Sequence, residues 1–313
     1  DELREATRKA TLSDLVGYSS TVWSSGKGES LIQGNINERE ALKIVDSISD
    51  VLPFKPIPES DVPPQLVALP LPKSNAKLLP TRLLITEPNL FNENSVTHVM
   101  LQSLGESEKD HVLMELLSAV INEPFYNELR TKRQLGYIVA SGVRGVADTR
   151  TIAFVVQSSI APADKLTVEI MRFLDTVGDK ILQKVSKADI AVYAKSLIDR
   201  KTEPDKELAV EVTRNWSEIS SGRLQFDRLQ REAAALLEVE KDDLLQFWKT
   251  IYSGNGRRAL ITEVIPREGP AASSLPPKST GYESRDLSRD RLVLGLDDIS
   301  QFRVDRENLL AAE

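Results

Sequence analysis

The amino-acid sequence predicts an α+β fold from the order of its segments. Strand candidates fill much of residues 81–158, and RALITEVI at residues 258–265 supplies another. Between them, residues 162–252 repeat helix-capping residues and apolar positions three and four apart. Strands at both ends of a helical block favour an α+β sandwich, in which helices cover a sheet.

The first 52 residues predict helices around one short strand. Residues 2–20 mix charges with leucines and indicate one helix. Leu31 and Ile32 indicate a strand, Gly34 a turn, and Asn37 the N-cap of a helix. Prolines then recur from residue 53 to residue 80, and each removes a backbone donor. We therefore predict a linker over residues 53–75.

The next segment alternates strands and helices. TRLLITEP and SVTHVMLQSL are strand candidates that could pair as a hairpin. Ser107 is the expected N-cap of a helix that ends at Pro124, where a second helix begins and runs to about Lys132. YIVAS and TIAFVVQS predict a second hairpin around a loop at residues 142–148.

The remainder is mostly helical. Pro162 and Gly178 suit the start and end of one helix, and Ser186 caps the next. Further helices are expected over residues 205–220, 227–237 and 242–252, before RALITEVI. After residue 266 a Pro- and Ser-rich stretch resembles a linker, and LVLGLDDISQF indicates an ordered terminal segment.

Composition excludes several classes of protein. The chain has 313 residues, with 40 Lys and Arg against 47 Asp and Glu, a net charge of −7 that does not suit nucleic acid. Its apolar runs are too short to span a membrane. Cysteine is absent, which excludes thiol chemistry and fits a reducing compartment. We expect a cytoplasmic location, with an organelle as the alternative.

Standard catalytic motifs are absent from the sequence. It contains no HExxH, HxxEH, GxSxG or GxxxxGK[ST] pattern. His111 and Glu115 would share one face of a helix, but a zinc site usually needs three protein ligands. A surface pair on the helix is the simpler interpretation, and His98 is expected to be half-buried in a strand. We assign no metal ligand.

The most individual segment is NEPFYNELRTKRQLGYIVASG. Arg130, Lys132 and Arg133 end a helix, where the helix dipole favours cations, and Tyr137 opens a strand, where aromatic residues normally pack in the core. Alternatively, Arg130 and Tyr137 project into a cleft and donate hydrogen bonds to a substrate oxygen. Spacing alone leaves both interpretations open.

This segment closely resembles a family signature. EPFYNELRTKRQLGYIVASGVRG is similar to the pattern EP-F-xx-LRTK-x-QLGY-IV-x-SG of the C-terminal half of insulysin-type zinc metallopeptidases, the insulinase or pitrilysin (M16) family. LIQGNINEREAL, RNWSEISSGRLQFDR and LDDISQFR resemble further segments of that half, in the same order. The resemblance covers nearly the whole chain.

The resemblance implies a fold and a domain plan. Each domain would be a two-layer sandwich, with helices on one face of a mostly antiparallel sheet. Residues 1–52 would end the third domain of the family, and residues 53–75 would be the linker. Residues 76–266 would form the fourth domain, followed by a linker and C-terminal segment at 267–313.

The resemblance also implies a division of labour in peptide hydrolysis. Zinc would be held by an HxxEH helix of the N-terminal half, outside these residues, so this chain alone would be inactive. This half would close the substrate chamber, with Tyr137 as oxyanion donor and Arg130 as a contact to a substrate carbonyl. Arg144 is a further candidate for substrate binding.

Partners follow from the same resemblance. They would be the N-terminal catalytic half of the same protein and peptide substrates, with neither nucleic acid nor a membrane. Family members often dimerise through this half, so a homodimer stays open. The alternative function is a non-catalytic insulinase-like module in peptide binding or complex assembly.

Overall fold

The structure is a computed structural model that describes residues 2–52, 55–58, 61–62, 71, 73–74, 80–105, 107–146, 149–253, 257–272 and 293–294. The chain divides into two compact units. One unit contains residues 1–66 and 204–226, and the other contains residues 67–203 and 227–313. Most of the predicted linker and of residues 267–313, including LDDISQFR, lies outside the described residues. The domain boundaries at 52, 75 and 266 stay predictions.

The smaller unit is built from helices and a two-stranded parallel sheet. These elements are α1 (Glu2–Lys9), α2 (Leu12–Val22), β1 (Ser25–Gly26), α3 (Glu38–Val51), β2 (Lys55–Pro56) and α7 (Leu208–Ser220). The single helix predicted over residues 2–20 is wrong, because Thr11 forms a capping box with Asp14 and starts a new helix. Asn37 caps α3 as predicted, whereas Leu31 and Ile32 lie outside any strand.

The larger unit contains a mixed sheet. Its strands are β3 (Lys73–Ser74), β4 (Thr81–Thr86), β5 (Ser95–Ser103), β6 (Ile138–Val146), β7 (Thr149–Ser158), β8 (Arg257–Ile265) and β9 (Val293–Leu294). The order is β6-β7-β5-β8-β4-β9, and β3 pairs with β8. Among the described strand pairs of this sheet, β4/β8 and β4/β9 are parallel and the rest are antiparallel, so the predicted mostly antiparallel sheet is confirmed.

One strand pairing differs from the prediction. β4 and β5 do not form a hairpin, because β8 lies between them and pairs with both. The loop from Glu87 to Asn94 is long enough to step over one strand. The second predicted hairpin, β6/β7, is present, and β6 extends to Val146, into the loop predicted over residues 142–148.

Helices cover one face of this sheet and form the core with it. They are α4 (Glu108–Tyr126), α5 (Ala163–Thr176), α6 (Lys187–Thr202), α8 (Arg228–Leu237) and α9 (Lys241–Trp248). Alternate residues of the central strands point at the helices, and Val99, Leu101 and Phe154 are fully buried there. Val96, His98 and Met100 point to the other face and are half-buried. The predicted α+β two-layer fold is confirmed.

α4 is the central helix of this layer. Ser107 caps it as predicted, with its hydroxyl accepting from the Asp110 amide. The helix continues through Pro124 instead of ending there, because a proline in the last turn of a well-packed helix is held by its surroundings. Most of its length is buried, so the helix holds the residues that follow Tyr126 in a defined position. Among the described helices, none has the length and apolar character that crossing a membrane requires.

Candidate functional site

The candidate site begins where α4 ends. Asn127–Lys132 form a π-helical turn that carries Arg130. Such turns contain an extra residue and frequently occur at functional sites. Leu129 is fully buried, and its carbonyl accepts a hydrogen bond from the Leu135 amide at 3.0 Å. This leucine anchors the turn, so Arg130 has a defined position beside it.

A tight turn then places Tyr137 immediately before the first residue of β6. Gln134 adopts a left-handed backbone conformation with φ of 53°, which turns the chain back toward the sheet. Gly136 passes so close to β7 that a Cβ atom would lie 1.8 Å from the Gln157 carbonyl oxygen. Only glycine fits this approach. Tyr137 therefore leaves the turn at the edge of the sheet.

Arg130 and Tyr137 lie next to each other. Arg130 Nη1 donates to the Gly136 carbonyl oxygen at 2.8 Å, and Arg130 Cζ lies 5.3 Å from the centroid of the Tyr137 ring. Tyr137 is 84% exposed, so the interpretation as a packed core residue is wrong. A cation over an exposed ring contributes about 0.5–1 kcal/mol, enough to favour one ring orientation. The Arg130 guanidinium and the Tyr137 hydroxyl are thus two hydrogen-bond donors on neighbouring side chains.

The neighbouring cations have a different role. Lys132 Nζ lies 3.2 Å and Arg133 Nε 3.0 Å from the Glu128 carboxylate, and Arg133 also pairs with Glu169 on α5. Hydrogen bonds from Arg133, and then from Lys132, lower the pKa of Glu128. These ion pairs join the π turn to α5. Arg130 instead bonds to the backbone, and no second hydrogen bond of its guanidinium occurs within the described residues.

A cavity of about 590 Å³ lies between the π turn and α5. Thr131, Arg133, Phe173 and Lys180 are among its lining residues, but Arg130 and Tyr137 are not. The Arg130–Tyr137 pair therefore lies outside this cavity.

Arg144 is apart from this pair. It lies on β6 seven residues after Tyr137, about 23 Å along an extended strand. Arg144 is exposed and influences His98, whose pKa is lowered first by burial and second by the charge of Arg144. His98 is half-buried in β5 on the face that the helices leave uncovered, as the sequence indicated.

His111 and Glu115 are not a simple surface pair. His111 is buried, and its Nδ1 lies 3.6 Å from Glu232 Oε1 on α8. Glu115 Oε2 lies 2.7 Å from Lys201 Nζ on α6. Within the part of the chain that the structure describes, no group of three His, Cys, Asp or Glu side chains could hold a metal ion. These residues do not fit a zinc site as they stand.

Sequence reasoning missed Lys201 and Glu232. Their contacts with α4 join residues far apart in the chain, so no local spacing indicates them. One signal was available: Lys201 continues the buried stripe of Ile190, Ala194 and Leu197 on α6. A charged residue on an apolar stripe is uncommon and implies a buried partner.

Comparisons with known proteins show which proteins this chain is similar to. The profile of the family described as "PQQ synthase PqqF-like, C-terminal lobe domain 4" matches residues 116–216, which include the π turn and Tyr137. Human insulin-degrading enzyme is 30% identical over 272 residues, which cover 86% of this chain and 26% of that protein. Mouse nardilysin is 30% identical over 275 residues, covering 87% and 22%.

The chain is homologous to the M16 peptidases. The resemblance carried by EPFYNELRTKRQLGY is thereby confirmed. The crystal structure of pitrilysin superposes with a TM-score of 0.74 at 18% identity, over 92% of this chain and 30% of that one, which supports the same fold. The chain spans about a quarter of the length of the M16 relatives it matches.

Proposed function

We propose that this chain is the non-zinc-binding half of an insulysin-like M16 endopeptidase. It closes the substrate chamber opposite the catalytic half and is inactive alone. The observation that carries the proposal is the exposed Tyr137 held beside Arg130 on a rigid turn. Homology to zinc metallopeptidases supports the peptidase context. The zinc ligands are proposed to lie in the N-terminal half of the same protein.

Tyr137 has the chemistry of an oxyanion donor. When a peptide carbonyl becomes tetrahedral its oxygen gains negative charge, and a phenolic hydroxyl that is already in place stabilises that charge. Removing one such donor typically costs about 3–4 kcal/mol in the transition state. The contact with the Arg130 guanidinium restricts the Tyr137 ring before substrate arrives, so less ordering is needed during the reaction.

Arg130 suits contact with a substrate carbonyl close to the cleavage point. Its guanidinium has five donors in a fixed fork, of which one is used by the Gly136 oxygen. That bond fixes the orientation of the remaining donors. Arg144 lies too far along β6 to reach the same carbonyl, so its proposed role is contact with a more distant part of an extended peptide.

The test compares the chain alone with a protein that joins it to the zinc-binding half. Fluorogenic peptides should be cleaved only by the joined protein with zinc, while the chain alone should bind extended peptides weakly and cleave none. A non-catalytic module for peptide binding or assembly would also bind peptide, but the joined protein would cleave nothing. Cleavage by the chain alone would contradict the proposed division of labour.

A further inference from the structure

Arg133 joins the π turn to a different helix. It follows the turn directly, and its backbone amide donates to the Glu128 carbonyl oxygen at 3.1 Å. Its Nε lies 3.0 Å from Glu128 Oε1, and its Nη1 donates to Glu169 Oε2 on α5. One guanidinium therefore binds a carboxylate within the turn and a second carboxylate outside it.

Glu169 is a well-held partner for this guanidinium. Leu166 and Phe173 bury the inner face of α5 in the core, so the helix that bears Glu169 has a fixed position. The Glu169 side chain is 11% exposed, and its other oxygen lies 2.6 Å from Arg172 Nη1. Because each carboxylate oxygen accepts from a guanidinium, the orientation of the carboxylate is defined from both sides.

The cavity beside the turn makes this ion pair important. The space of about 590 Å³ between the π turn and α5 is lined by Thr131, Arg133 and Glu169, among others. A cavity provides no packed side chains to fix the distance between the two elements. The Arg133–Glu169 ion pair spans this gap, so without it the end of the turn could move toward α5.

The position of Arg133 is transmitted to the candidate site through a short segment. Gln134 reverses the chain with φ of 53°, and the Gly136 carbonyl then accepts from Arg130 Nη1 at 2.8 Å. Tyr137 comes next, with its ring 5.3 Å from Arg130 Cζ. Movement of Arg133 would therefore change the positions of both Arg130 and Tyr137.

We infer that Arg133 and Glu169 are positioning residues for the candidate site, because their ion pair lets α5 hold the turn that presents Arg130 and Tyr137. Neither residue contacts the substrate in this scheme. Their role in the reaction rests on the proposed function, whereas their hold on the turn is a property of this chain alone. The two parts are tested by separate measurements.

The first measurement is hydrogen exchange in the full chain alone. The Leu135 amide donates to the Leu129 carbonyl at 3.0 Å and reports whether the turn stays closed. Its exchange rate should rise at least about tenfold in Arg133→Ala and in Glu169→Gln. Lys132→Ala is the matched control, because Lys132 also pairs with Glu128 but is 71% exposed and makes no ion pair with α5 among the described residues. Its exchange rate should match wild type.

The second measurement is peptide cleavage by the joined protein. Arg133→Ala and Glu169→Gln should each lower kcat at least about tenfold, because small displacements of groups at a reaction centre are costly. The thermal midpoint of the chain alone should fall by no more than about 4 °C, since partly exposed ion pairs contribute little to stability. Lys132→Ala should keep kcat within about twofold of wild type.

A double-mutant cycle separates positioning from general loosening. Arg133→Ala should lower kcat much less in a Tyr137→Phe background than in wild type, because the hydroxyl that it displaces is already absent. General loosening of the protein would instead lower kcat by the same factor in both backgrounds.

Two results would overturn the inference. One is Leu135 exchange that is unchanged in Arg133→Ala and Glu169→Gln, which would show that α5 does not hold the turn. The other is an equal loss of kcat from Arg133→Ala in both backgrounds, which would exclude a positioning role. A joined protein that cleaves nothing would contradict the proposed function, and the exchange rates would then decide the hold on the turn by themselves.

Discussion

Gly136→Ala tests how the candidate site is held. The new Cβ atom would lie 1.8 Å from the Gln157 carbonyl oxygen, whereas side-chain Cβ atoms essentially never come closer than 3.0 Å. The turn and β7 must therefore separate by 1.2 Å or more. Both contacting groups are backbone, so no side chain can rotate away.

The energetic cost of this separation follows from two contributions. Overpacking costs about 1–3 kcal/mol, and loss of one backbone hydrogen bond at the start of β6 about 1 kcal/mol, so the free energy of unfolding should fall by roughly 2–4 kcal/mol. The Arg130 bond to the Gly136 oxygen should weaken at the same time. In the joined peptidase, kcat should fall as well.

The assay is urea denaturation of the full chain, followed by circular dichroism, with hydrogen exchange of the β6 amides as a local readout. Gly142→Ala is the control, on the strand that follows the turn. Its nearest neighbour, Arg144 Nη1, would be 3.8 Å from the new Cβ, so stability should stay within about 0.5 kcal/mol of wild type. Equal unfolding midpoints for the two variants would refute the close-approach argument.

Two further predictions concern stability. Phe125→Ala removes a fully buried ring that packs edge-on against Phe154 and Phe173, with ring centroids 5.2 Å apart. The free energy of unfolding, measured by urea denaturation, should fall by about 3–5 kcal/mol. Phe91→Ala, whose ring is 94% exposed, should change it by almost nothing. A small loss of stability for Phe125→Ala would contradict the core described above. Glu232 has a lowered pKa when folded, so it contributes stability above pH 4.5 that is lost as pH falls through the folded pKa. Wild type should therefore lose more stability than Glu232→Gln when thermal midpoints are followed from about pH 5 downward, and parallel curves would contradict this sign.

Local chemistry in the sequence predicted the features that depend on neighbours in the chain. Ser107 and Ser186 cap their helices because each hydroxyl accepts from an amide three residues away. The β6/β7 hairpin likewise joins adjacent segments. The segment around Arg130 and Tyr137 predicted the family resemblance, because its match to the family pattern is long and specific.

Features that depend on distant packing were not predictable from the sequence. β8 lies between β4 and β5 although more than 150 residues separate it from both in the chain. The exposure of Tyr137 depends on the approach of Gly136 to β7, which a strand-like pattern does not reveal. The cluster around Lys201 combines three helices whose charges have no shared spacing.

The central claim is that Tyr137 acts on the reacting carbonyl in a complete peptidase. Tyr137→Phe in the joined protein keeps the ring beside Arg130 and removes only the hydroxyl. Steady-state cleavage of a fluorogenic peptide should show kcat lowered by about 100- to 1,000-fold with little change in KM. Tyr18→Phe, another exposed tyrosine, should match wild type. An unchanged kcat for Tyr137→Phe would contradict the account.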